Sequence, residues 1–470
     1  MNRFTRIAAA GAAFALGTAG LAGCDFTEGF DEDPNAATQA PANLLLTAGQ
    51  VGQIVLQESD LARVSGIFSA QFTGSDRQYS RIDRASLNSD DFSNSWTVVY
   101  QETVAQLALA EAGFEAANNR VGAGVAKMHQ AMAFGQATAL FGDIPYAEAL
   151  QPEIEDPAFD AQATVYAGVI STLEEAIADI NSGVGSATGD IFEGDNLEAA
   201  YTLLARYNLH VGDYGAALAA AQNGISEPGN NLTIPHGTAL YSDTNIYYIF
   251  VEEERSGYLT ADGSFALGLL ADDDDRTDND ARASYYYDFD RGDGGAPVVA
   301  GAELNTGDDG AFALDADFPV VTFAENQLIL AEAALFANGD GDTALSALNS
   351  VRQANQARFG VDTDDPETDD VDEDVLEYED FEADDFDSDN DLLREILEEK
   401  YLSLIGQIEA YNDVRRTDNF IGIPGKNGGA VPQRFLYARN ELNANSSAPN
   451  PIPPVGQETP VNASIDYTGL

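Results

Sequence analysis

The chain is short of cations. Over 470 residues, 22 Lys and Arg stand against 79 Asp and Glu, a formal net charge of −57 at pH 7. Nucleic acid is excluded as a partner, because neutralising phosphates requires a basic footprint that this composition lacks. Histidine occurs only at His129, His210 and His236, and no two have the spacing of metal ligands, so neither a metal centre nor a bound cofactor is expected. His129 and His210 fall in helical patterns and read as packing positions. A single cysteine rules out an intrachain disulfide. Beyond the N-terminus no apolar run approaches the roughly 20 residues needed to span a bilayer. No G-x-S-x-G elbow, P-loop or dinucleotide fingerprint stands in a credible context, so binding is expected and catalysis is not. A glycosidase needs two suitably placed carboxylates, and an abundance of acid does not supply that placement.

The acid says something about solvent before it says anything about ligands. A charge of this size repels itself at low ionic strength, whereas molar salt shortens the screening length to about 3 Å. The composition therefore reads as that of a halophilic, acidic proteome. Lysine agrees, since Lys127, Lys400 and Lys426 are the only three. An acidic surface aimed at one basic partner fits less well, because the acid is spread along the whole chain.

At the N-terminus, Arg3 and Arg6 precede an apolar stretch from Ile7 to Leu21, too short for a transmembrane helix and laid out like a secretory signal. Leu21-Ala22-Gly23-Cys24 resembles a bacterial lipobox, so residues 1–23 are expected to be removed and Cys24 to carry the lipid anchor. Residues 24–40, with Asp25, Glu28, Asp31, Glu32 and Asp33, read as a solvated acidic tether. Acidic residues directly after such a cysteine resemble the signal for the outer face of the outer membrane.

From residue 41 onward a single, mainly helical domain is expected. Apolar residues recur at three- and four-residue spacing in Leu44 to Phe72, Thr97 to Asn118, Val121 to Phe141 and Tyr166 to Ile180. Leu197 to Leu209, a turn at Gly212-Asp213-Tyr214, and Ala216 to Ile225 form a helix pair of tetratricopeptide-like layout. A second pair runs from Phe323 to Phe336, turns at Asn338 to Asp342, and continues from Ala344 to Ala354. Leu392 to Thr417 reads as one strong final helix. The fold class is thus all-α dominated, a tetratricopeptide-like helical-repeat scaffold.

Between the two pairs lies a long irregular insertion, about 226–320, rich in Gly, Asp and aromatics, where loop length points to function. Its tyrosines, among them Tyr241, Tyr247, Tyr248, Tyr258, Tyr285, Tyr286 and Tyr287, are either a binding surface or the insertion's own small core. The lone tryptophan, Trp96, at a helix start near Arg77, Tyr79 and Arg81, is either a core anchor or a stacking platform. Residues 361–390 hold 17 acidic residues and no basic one, a solvated excursion. Asp385, Asp387 and Asp389 begin like an EF-hand, but Asn390 replaces the turn glycine and Ile396 stands where the bidentate Glu is required.

Four segments together resemble the SusD/RagB family of outer-membrane nutrient-binding lipoproteins, particularly its SusD-like branch. They are Asp33-Pro34-Asn35 with Thr38; Phe141-Gly142-Asp143-Ile144-Pro145-Tyr146 with Glu148-Ala149; Glu399-Lys400-Tyr401 with Gln407, Glu409-Ala410-Tyr411-Asn412-Asp413 and Arg415-Arg416-Thr417; and Val431-Pro432 with Arg434, Tyr437, Glu441, Asn443 and Asn445. Trp is common in the family where Tyr411 and Val414 stand, and Pro where Ala438 stands. The motif residues read as framework, Asp143 capping its turn and Arg415 and Arg416 pairing with carboxylates. The resemblance implies a lipid-anchored lid over a SusC-like TonB-dependent transporter, capturing oligosaccharides without catalytic residues. Peptide capture, and a protein-interaction scaffold with no transport role, are the alternatives. It also implies ligand contacts through aromatic platforms with a few polar groups, for which Trp96, Arg81 and Tyr247, Tyr248, Tyr258, Tyr285, Tyr286 and Tyr287 are the candidates.

Overall fold

The apolar spacing of the first half folds as helices, in a computed structural model that describes residues 40–470 except 273–276, 278, 293–294, 296, 361–377 and 468. They are α1 (Ala42–Glu58), α2 (Asp60–Phe68), α3 (Ala105–Ala116), α4 (Arg120–Phe141) and α5 (Gln162–Ile180). The helix expected from Leu44 to Phe72 is broken at Ser59, whose backbone leaves helical space at φ −103, ψ −139. Asp60 then restarts it, its charge favourable at a helix N-terminus. Gly49 and Gly52 let α1 lie close to the next helix, since a Cβ there would come within 2.5 Å of Leu107 and 2.4 Å of Thr103. α4 is buried from Gly122 to Phe141, which makes it the central helix.

Both tetratricopeptide-like pairs form as the pattern predicts. The first is α6 (Asn196–His210) with α7 (Tyr214–Ala221), the second α8 (Phe323–Asn338) with α9 (Gly341–Phe359). Acidic caps stop and restart each pair: Asp213 accepts from the Ala216 amide at 3.0 Å, and Asp340 from the Thr343 amide at 3.0 Å. The pairs stack on each other through small residues, Ala205, Ala217, Ala220 and Ala221 against Ile329 and Ala333. Ala42–Leu470 forms one compact unit. No helix among the described residues is long and apolar enough to cross a membrane.

The final helix is two helices, α10 (Asp389–Ser403) and α11 (Ile408–Arg416). Gly406 turns the chain between them at φ +85. Gln71 compensates the break, accepting from the Gly406 amide at 3.1 Å and donating to the carbonyls of Tyr401 and Leu404 at 3.3 and 3.4 Å. Periodicity cannot see this, because the compensating side chain lies more than 300 residues away.

The insertion is packed and pinned. Leu232–Ile234 pairs antiparallel with Phe318–Val321 at its base, and Leu259–Thr260 pairs with Thr73–Gly74. Buried ion pairs tie the scaffold together: Arg206 to Glu325 at 2.5 and 2.6 Å, Arg282 to Glu399 at 2.9 and 3.0 Å, and Arg416 to Glu332 at 2.6 Å through both nitrogens. Arg415 departs from the expected carboxylate pairing. It donates to the carbonyls of Ala139 and Gln433 at 2.9 and 3.1 Å, binding α11 to the end of α4. Asp143 accepts from the Gln162 amide at 2.9 Å, so it caps the start of α5 across 19 residues and not its own turn.

A cleft between the first helical layer and the C-terminal helix

The candidate site begins with a chain entry. Asn88 accepts from the Asp90 amide and Asp91 from the Asn88 amide, each at 2.8 Å, fixing the turn that leads into the short helix Ser93–Thr97. A π-helical turn, Val98–Val104, follows and runs into α3. Such turns re-aim side chains and recur at functional sites. Here Trp96, Thr97, Tyr100, Gln101, Ala105, Ala108 and Leu109 form one wall of an open cleft of ≈ 760 Å³. The loop after α4 supplies the second wall, Pro145, Ala149 to Pro152, Ile154 and Pro157. Helix α12 (Arg439–Ala444) supplies the third, Asn440, Glu441 and Ala444. The volume lies in the range of small-molecule and cofactor sites, about 300–1,000 Å³.

The polar groups are held in place. The Trp96 indole donates to Glu441 Oε2 at 3.2 Å, and the Asn445 amide donates to Glu441 Oε1 at 2.8 Å. The Asn440 amide donates to the Ser93 carbonyl and to Thr97 Oγ1, both at 3.1 Å, clamping α12 to the first wall. The Tyr100 hydroxyl donates to the Pro145 carbonyl at 2.8 Å. Burial, then the Glu441 charge, pushes the Tyr100 phenol well above its ordinary range, so it stays neutral.

Trp96 is only 4 % exposed. Its ring packs on Tyr100 at 5.1 Å, Phe141 at 5.2 Å and Phe159 at 6.3 Å. The core-anchor reading therefore describes its body, while its N–H orients the one carboxylate of the cleft. The half-buried ring of Tyr100 is the accessible aromatic. The other candidates are not brought to this cleft. Arg81 donates to the Ser86 carbonyl and, at 2.5 Å, to Asp91, bracing the entry turn. Tyr247 and Tyr287 are buried, their hydroxyls donating to the carbonyls of Gly406 at 2.8 Å and Gln71 at 3.3 Å; they are core residues, out of reach of a ligand. Tyr286 is buried and lines a separate cavity of ≈ 110 Å³ with Arg282 and Arg358. Tyr285 stands half-buried under the Arg358 guanidinium, 4.6 Å from its ring centroid. Tyr258 and Tyr248 are half-buried, Tyr258 with Arg255 at 5.9 Å from its ring.

Sequence reasoning missed Tyr100, Gln101, Leu109, Leu150 and the cleft-lining place of Glu441. A signal existed, since Tyr100 stands four residues after Trp96 on a helical path and Glu441 lies in the fourth resemblance segment. The described residues contain no group of three His, Cys, Asp or Glu arranged to hold a metal ion. Cys24 and nearly all of the tether lie outside the described residues.

Residues 34–200 match the SusD-like family model described as "Starch-binding associating with outer membrane". No curated protein matches in sequence. Among solved structures, a SusD/RagB family protein from Bacteroides thetaiotaomicron superposes with TM-score 0.67 at 20 % identity, covering 87 % of this chain and 95 % of that one. A SusD homolog from Bacteroides fragilis gives 0.66 at 18 %, covering 90 % and 99 %. A chitin-binding SusD homolog from Flavobacterium johnsoniae gives 0.64 at 16 %, covering 91 % and 98 %. Residues 34–200 are thus similar in sequence to the SusD-like family, and over most of its length the chain has the fold of SusD-like proteins.

Proposed function

We propose that this chain is a lipid-anchored binding protein of the outer cell surface that captures oligosaccharides and delivers them to a SusC-like TonB-dependent outer-membrane transporter. The observation that carries the reading is the cleft: ≈ 760 Å³, open to solvent, walled by Tyr100 and aliphatic side chains, with Glu441 held by Trp96 and Asn445. An aromatic ring covers the C–H face of a sugar while a few fixed polar groups sort its hydroxyls. Glu441 is the only carboxylate among the lining residues, and glycoside hydrolysis takes two, so the cleft suits capture and not cleavage. The names of relatives, starch-binding for the family model and chitin-binding for a neighbour, agree with a glycan ligand.

Docking to a partner is supported by helix α1, whose sole charge is Glu58 and which exposes Leu44 and Val51 in an otherwise acidic chain. The anchor reading rests on Cys24. Calorimetric titration of the chain from residue 24, with Cys24→Ser, in molar salt against a glycan panel tests the function. Saturable binding to one class is expected, with Tyr100→Ala weakening it at least tenfold. Folded protein that binds no glycan would sink the reading.

A further inference from the structure

The cleft is unusual in what it does not contain. No Arg, Lys or His stands among its described lining residues, and its one ionisable carboxylate is Glu441. Of the neighbouring guanidiniums, Arg81 is bound to Asp91 and Ser86, and Arg439, outside the lining, lies 3.7 Å from Asp90. An anionic sugar would enter without a counter-charge and against Glu441. Such repulsion survives salt best where the group is partly shielded from water, as Glu441 is.

The walls are also more aliphatic than a plain sugar ring requires. Trp96 gives almost no free face, and Tyr100 is the accessible ring. Leu109 at 55 % and Leu150 at 40 % exposure, with Ile154, surround it. Branched aliphatic side chains cover methyl groups well and pyranose faces poorly. Each Glu441 oxygen receives one hydrogen bond, from Trp96 or Asn445, and keeps a lone pair for a ligand N–H or O–H.

Resting on the glycan-capture reading, we infer that the cleft takes uncharged glycans of N-acylated amino sugars: Glu441 accepts the amide N–H, and Leu109, Leu150 and Ile154 cover the acyl methyl groups. A peptide offers the same amide, but extended peptides are gripped through the main chain at a sheet edge. The strand at this wall, Ile144–Pro145, is two residues long and already paired with Phe159–Asp160. The chemistry therefore favours the sugar.

The test is titration of the same Cys24→Ser chain in molar salt with four tetrasaccharides: β-1,4 N-acetylglucosamine, its deacetylated amine, β-1,4 glucose and galacturonate. A short neutral peptide serves as the fifth probe. The N-acetylated oligomer is expected to bind at least about tenfold tighter than the glucose oligomer, from buried methyl groups and a charge-assisted amide bond. Glu441→Gln is expected to weaken the N-acetylated oligomer severalfold and to improve galacturonate, opposite signs that a merely structural role would not produce. Leu109→Asn with Leu150→Asn, both at exposed positions, should lower the preference for the N-acetylated oligomer without unfolding, checked by circular dichroism. Equal or tighter binding of the glucose, amine or galacturonate oligomer overturns this inference and leaves glycan capture standing. Binding of the peptide alone, or of nothing, overturns both.

Discussion

The scaffold core and the cleft use charge in opposite ways. In the core, cations are buried against carboxylates: Arg416 faces Glu332 and Asp413, Arg206 faces Glu325, and Lys400 faces Asp413 at 3.0 Å. In the cleft a lone carboxylate is held by neutral donors and no cation lines the wall. The three lysines follow the first pattern. Their side chains are 10 %, 1 % and 17 % exposed at Lys127, Lys400 and Lys426, and each lies within ion-pair distance of a carboxylate. A chain with few cations thus spends many of them inside the fold. Its surface is left to acid, and its cleft is left without positive charge.

The largest effect should come from breaking the core side of that contrast. Arg416→Met leaves Glu332 buried without its cation and Asp413 with Lys400 alone, and removing one member of a buried pair costs about 3–5 kcal/mol. Denaturant unfolding should show a loss of that order, whereas Glu441→Gln in the cleft should change stability by less than about 1 kcal/mol. Equal losses at the two sites would erase the distinction.

Salt comes next. Self-repulsion of the acidic surface is screened over about 3 Å at 1 M and over about 10 Å at 0.1 M, so Tm should rise clearly between these concentrations. The ion pairs of the core, shielded from solvent, should contribute little to that rise, so Arg416→Met should retain the same salt slope. A Tm indifferent to salt would contradict the halophilic reading.

Two histidines sharpen the contrast further, because their surroundings push them in opposite directions. Burial drives the His129 imidazole down to about 4, with Asp190 opposing only in part. The unfolded chain then binds a proton that the folded chain refuses, so His129 weakens the fold as pH falls from about 6.5 toward 4. At His236 burial also pushes down, but Glu58, at 2.9 Å, outweighs it and the pKa is raised. Its stabilisation is complete below about pH 6.5 and is lost as pH climbs through the raised value. The stability difference between the parent and His236→Gln should therefore be greatest in mild acid and shrink with rising pH. A constant difference from pH 5 to 9 would mean that His236 does not change charge on folding.

The smallest expected effect is at Tyr100. Tyr100→Phe removes one hydrogen bond, to Pro145, while keeping the ring, and should cost about 1 kcal/mol of stability with little change in glycan affinity. A large loss of affinity would move the recognition role from the ring face to the hydroxyl.

Much of the fold was legible in the sequence because its signals are local. α4 to α9 follow apolar spacing, and the Asp213 and Asp340 turns announce themselves by acidic residues beside glycine. The breaks were not legible. Ser59 and Gly406 interrupt strong patterns because distant groups compensate: Gln71 at the α10–α11 turn, and His236 on Glu58 at the end of α1. The candidate site was half legible. Trp96 was singled out and does line the cleft, but Tyr247 and Tyr287, equal to Tyr100 as residue types, point into the core.

By itself the sequence determined the helical scaffold, its repeat turns, the scarcity of cations and the family resemblance, all carried by neighbours within a few turns or by composition. Only the tertiary structure decided which aromatic meets solvent and which carboxylate lines the cleft. The cleft exists where residues 96–109, 145–157 and 440–444 converge, and exposure there depends on how segments hundreds of residues apart pack. No local pattern encodes that distance, because burial is a property of the assembled surface and not of the residue.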